Sequence, residues 1–100
     1  MKFLFTTLVV FFAVESTAHE RDITIESATD LRDWCEASSH DLYVGQGIAP
    51  YNWSASYWEK DGILNVKGSW RIDDKEVIVE CQIAQGAEVR NAVMSVHERK

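Results

Sequence analysis

From Tyr51 onward, apolar and polar residues alternate, and short turn signals interrupt the alternation at regular distances. A period of two places successive side chains on opposite faces of a strand. The pattern predicts four strands, over residues 52–59, 63–72, 76–84 and 89–97. Asp61-Gly62 separates the first two and favours a two-residue type I′ hairpin. Asp73-Asp74 separates the second from the third, and Gln85-Gly86 marks the last turn.

Placing those turns fixes a register that can be checked against itself. A two-residue turn at Asp73-Asp74 sets Leu64 opposite Ile83, Val66 opposite Cys81 and Trp70 opposite Val77. On the other face it sets Lys67 opposite Glu80 and Arg71 opposite Glu76. A hairpin centred on Asp61-Gly62 brings Tyr57 to Val66, Ala55 to Gly68 and Trp53 to Trp70 on the same apolar face. Ala92, Met94 and Val96 supply that face in the fourth strand. A slip of one residue would exchange the two faces and spoil every pairing.

One helix precedes the strands. Ser27 and Asp30 form a capping pair, and Asp30 and Asp33 suit the positive end of a helix dipole. Leu31, Trp34, Cys35, Ser38 and Leu42 recur at spacings of three and four, and Gly45 is a natural stop. Residues 45–50 then connect helix to sheet. The expected fold is α+β: one N-terminal helix packed on a four-stranded antiparallel meander, with one face covered and the other wet.

Cys35 falls on the apolar helix face and Cys81 on the inward face of the third strand. A helix-to-sheet disulfide follows. It closes a loop of about 45 residues, worth roughly 4 kcal/mol in the chain-entropy model. A domain of this size buries only about 60 % of its unfolded surface, so such a staple matters.

The first 18 residues read as a secretory signal peptide. Lys2 provides the positive start, residues 3–14 an apolar run, and Ser16-Thr17-Ala18 the small residues of a cleavage site. That run is shorter than the ~20 residues a membrane span requires. The expected organisation is therefore a leader over 1–18 and one small domain over 19–100, periplasmic or secreted, without stable membrane insertion after cleavage. All four Phe lie in the leader, and 34 of the remaining 82 residues are apolar, a globular level. The net charge of −6 disfavours nucleic acid and favours a basic partner.

No catalytic constellation is legible. Ser38-Ser39-His40-Asp41 is contiguous, but neighbouring helix positions diverge in space, whereas a nucleophile and its base must converge. Asn52-Trp53-Ser54 is a glycosylation sequon beside an inward Trp, read as an ordinary strand start. His19, His40 and His97 show no metal-ligand spacing. Cleavage after Ala18 would nevertheless let the amine and imidazole of His19 hold copper, with His40 or His97 as a further ligand. The aromatic residues are more telling. Trp53, Tyr57 and Trp70 point inward, whereas alternation sets Trp58 on the wet face near Asn65, and Tyr51 stands at the entrance of the sheet.

These features point to a small exported non-enzymatic binding domain without cofactor or metal, an inhibitor of or accessory to a basic envelope or extracellular protein. Its expected binding residues are Tyr51, Trp58, Lys67, Arg71 and Glu80. The alternatives are a module for carbohydrate, such as peptidoglycan or another cell-envelope polymer, and a small copper-binding protein using His19.

Overall fold

The computed structural model describes residues 23–99. The expected leader and His19 lie outside the described residues. Helix α1 (Ala28–Val44) leads into strands β1 (Tyr51–Lys60), β2 (Ile63–Ile72), β3 (Lys75–Ala84) and β4 (Val93–Glu98), with a 3-10 turn at Val89–Asn91 before the last. The strands form one antiparallel sheet in the order β1-β2-β3-β4. The helix covers one face, and the Cys35–Cys81 disulfide ties it to β3. Among the described residues, no helix is long and apolar enough to cross a membrane.

Local chemistry accounts for the turns. Asp61 and Gly62 both take positive φ, 54° and 79°, as a type I′ hairpin demands. The next turn places Asp73 at φ 56°, a left-handed position that Asp tolerates better than most residues. All the β2–β3 pairs follow the expected register, including Leu64–Ile83, Val66–Cys81 and Trp70–Val77. The core is the inner face of this hairpin closed by the helix: Leu64, Val66, Trp70, Val77, Val79, Cys81 and Ile83 against Leu31 and Cys35.

Four local expectations are corrected. First, β1 is not regular. Tyr51 pairs with Arg71 and Ser54 with Ser69, so Asn52 and Trp53 together oppose Trp70. This is a bulge, and Asn52 takes its left-handed residue at φ 58°. Second, the buried helix stripe turns by one position. Ser39 is fully buried, whereas Ser38 is half-buried and Leu42 exposed. The reason is a hydrogen bond: the Trp70 indole N–H donates to Ser39 Oγ at 2.9 Å, and that hydroxyl donates to the Cys35 carbonyl at 2.7 Å.

Third, the helix is not the first structured piece. Thr24 bridges Glu88, Ile25 N–H donates to Ala87 O and Gly86 N–H to Ile25 O, which seats Ile25 in the core. Residues 87–89 are engaged there, so the fourth strand begins at Val93 rather than 89. Fourth, Tyr57 pairs with Val66 on the inner side but remains exposed at the helix margin. The Arg32 guanidinium lies 4.9 Å from its ring centroid and donates to its hydroxyl at 3.3 Å.

Candidate functional site

The helix leaves the outer face of the sheet uncovered, and beyond the short row Lys60–Ile63–Ala84 at the hairpin end the register arranges that face in four rows across the strands. The first is Trp58–Asn65–Gln82–Val93 and the second Ser56–Lys67–Glu80–Ser95. The third is Ser54–Ser69–Ile78–His97. The fourth begins with Tyr51–Arg71–Glu76 and ends at Arg99, whose N–H donates to the Glu76 carbonyl at 3.0 Å.

The first two rows enclose a groove of about 290 Å³. Trp58 walls one side at 45 % exposure and Val93 the other at 63 %. The floor between them is polar and fixed: Gln82 Nε2 donates to Asn65 Oδ1 at 2.9 Å, and Asn65 Nδ2 donates to the Ile63 carbonyl at 3.1 Å. Asn65 therefore has its amide orientation set, while exposed Lys67 and Glu80 project beside it. A second hollow of about 180 Å³ shares Lys67 and continues past Ser56, Ser54 and Ser69 toward Arg99. Ile78 also lines it and is only 4 % exposed although it points outward.

Of the expected binding residues, the structure brings Trp58, Lys67 and Glu80 to one groove. Tyr51 and Arg71 pair with each other three rows away, so Tyr51 and Trp58 do not flank one small site. The Tyr51 hydroxyl donates to the Asp73 carbonyl, which ties the ring to the next turn. Arg71 stands opposite Glu76 as the register requires, but the two form no ion pair. Glu76 instead bonds Arg99 at 2.6 Å, because β4 delivers Arg99 alongside it. Lys67 and Glu80 are register partners, yet the ion pairs among the described residues do not include them either. Reading the sequence for binding residues overlooked Gln82, Val93 and Ser95. Gln82 was recoverable, because the turn that pairs Lys67 with Glu80 also pairs Asn65 with Gln82.

The remaining candidates separate. The His40 ring lies 5.6 Å from that of inward-facing Trp70, tilted by 50°, whereas His97 pairs with outward-facing Ile78, so the two stand on opposite sides of the sheet. Among the described residues no group of His, Cys, Asp and Glu could hold a metal ion. Ser39 is buried with its hydroxyl engaged by the Trp70 indole and the helix backbone, and His40 Nδ1 lies 3.7 Å from the Asp41 carboxylate on the helix exterior. Asn52 of the sequon is exposed in the bulge.

Charge is unevenly distributed. On the outer face Lys60, Lys67, Arg71 and Arg99 outnumber Glu76 and Glu80, although the chain carries −6. The acidic excess lies elsewhere, with Asp30, Asp33, Glu36 and Asp41 along the helix and Asp61, Asp73 and Asp74 in turns. A hollow of about 640 Å³ beside the helix start has Ile23, Ile25, Trp34 and Val89 as its apolar lining and Asp30 and Asp33 as its charged groups. No family model, curated protein or solved structure matches the chain.

Proposed function

We propose that this is an exported, non-enzymatic binding domain and that its site is the outer face of the sheet, centred on the groove between Trp58 and Val93. The observation that carries this reading is the row Trp58–Asn65–Gln82–Val93, in which a half-exposed indole faces an amide floor already fixed by its own hydrogen bonds. A rigid aromatic beside oriented polar groups binds at low entropic cost. The disulfide and the want of a membrane-crossing helix among the described residues are compatible with an extracellular or periplasmic protein. A cell-envelope polymer is the ligand that such a groove suits.

The test compares the immobilised protein with its Trp58→Ala variant for retention of envelope components. Retention by the wild type and its loss in the variant, with melting temperatures alike, is the expected result. Equal retention by both overturns the reading.

A basic protein partner remains a second reading, favoured by the hollow beside the helix start, where apolar Ile23 and Trp34 adjoin Asp30 and Asp33. That surface lies on the helix side, away from Trp58. Asp33→Asn would weaken such a complex and leave retention of a polymer unchanged.

A further inference from the structure

The two halves of the outer face differ in charge. Beyond the Lys60–Ile63 pair at the hairpin end, its β1–β2 half consists of four cross-strand pairs: Trp58–Asn65, Ser56–Lys67, Ser54–Ser69 and Tyr51–Arg71. These eight side chains include two cations, one amide, three hydroxyls and an aromatic ring at each end, but no carboxylate. The whole chain has 16 Asp and Glu in 100 residues and a charge of −6. The β3–β4 half holds both outward carboxylates, Glu76 and Glu80, and Glu76 is already occupied by Arg99.

We propose that the β1–β2 half is a track for a linear anionic glycan, a polymer of carboxylate-bearing sugar rings, running along the strands from Trp58 to Tyr51. The inference rests on the outer face being the binding site and adds the class of ligand and its direction. An indole face packs against the apolar face of a sugar ring, while amide and hydroxyl groups bond its edges. Two residues along a strand span about 6.6 Å, and neighbouring strands stand about 4.8 Å apart. Lys67 is one such step along and one strand across from Trp58, so a ring stacked on that indole carries its carboxylate within reach of the ammonium. Ser69 continues the track along β2, and Arg71 offers a guanidinium that the ion pairs among the described residues leave unengaged. The bulge in β1 makes this possible. By pairing Tyr51 with Arg71 it brings the ring to the outer face, where an unbroken strand would have turned it inward. The track is about 20 Å long at strand spacing, which suits a chain of several rings rather than one.

The experiment titrates the full-length protein, as it accumulates, with polygalacturonate, with neutral dextran of similar length and with an oligodeoxythymidine. Tryptophan fluorescence reports binding at low and at moderate salt. Polygalacturonate is expected to bind, to quench a component that Trp58→Ala removes, and to bind more weakly as salt rises. Lys67→Gln and Arg71→Gln should each weaken it about fivefold, as loss of one exposed charge contact would, with melting temperatures unchanged. Equal, salt-insensitive binding of dextran would overturn the anionic ligand while leaving the groove as a site. Preference for the oligonucleotide, or no binding of polygalacturonate, also overturns it. In either case the retention of envelope material by wild type and Trp58→Ala decides separately whether the outer face binds at all.

Discussion

Ser39 and Gly68 illustrate how individual positions hold the inner face together. Burying the Trp70 indole is favourable only because its N–H finds the Ser39 hydroxyl, itself anchored on the Cys35 carbonyl. Ser39→Ala leaves that N–H unpaired in a dry place and should cost about 1–3 kcal/mol, read as a lower melting temperature. Gly68 acts by absence. A Cβ there would collide with the Trp53 ring, which lies across it and meets Trp70 at a centroid distance of 5.0 Å. Gly68→Ala must displace the indole and should cost about 1–3 kcal/mol, with loss of near-ultraviolet circular dichroism from the Trp pair. The outer face behaves differently. Trp58→Ala should barely alter the melting temperature, because the ring is half in water, whereas Trp70→Ala should cost roughly 3–5 kcal/mol. If the two variants melt alike, the assignment of Trp58 to a free surface is wrong.

At the level of elements, regular pairing was legible in the sequence and irregularity was not. The Asp73-Asp74 hairpin carries ten consecutive pairs in the expected register, because one turn and one alternation determine all of them. The bulge at Asn52 and Trp53 has no sequence signature, since no local pattern distinguishes an Asn in a strand from one in a left-handed conformation. The choice between Ser38 and Ser39 is likewise not encoded locally. It is made by a tertiary partner, Trp70, 31 positions away in the chain. Of the candidate site, Trp58 and Lys67 followed from alternation alone. The separation of Tyr51 from Trp58 and the capture of Glu76 by Arg99 depended on the bulge and on the end of β4. The bulge is testable at Asn52, whose φ of 58° is costly for a β-branched side chain. Asn52→Gly should leave stability nearly unchanged. Asn52→Val should lower it by about 1–3 kcal/mol and weaken whatever binding uses Tyr51.

For the molecule as a whole, one titrating group and one covalent link bear on stability. The titrating group is Tyr43, whose pKa is raised by burial and, secondarily, by the Glu98 carboxylate. A phenol with a raised folded pKa contributes stability that is complete below the unfolded value of about 10 and lost as pH rises through the folded one. Melting temperature should therefore fall on the alkaline side, and less steeply in Tyr43→Phe. The covalent link is the disulfide, which joins residues 46 apart and links the helix directly to β3, with both cysteines buried. The meander can form from local hairpins, but the helix closes its inner face only across the connector at residues 45–50. Removing that closure restores about 4 kcal/mol of chain entropy to the unfolded state. A domain of this length has a total stability of roughly 4–12 kcal/mol, so the reduced protein lies near its folding threshold. Cys35→Ala/Cys81→Ala should lower the melting temperature by tens of degrees, given about 4–8 °C per kcal/mol for a domain of this size. Thiol reductant should act slowly on the wild type, because the sulfurs become accessible only when the helix lifts from the sheet. A double variant that melts with the wild type would show that the helix is held by Leu31, Ser39 and Trp70 alone.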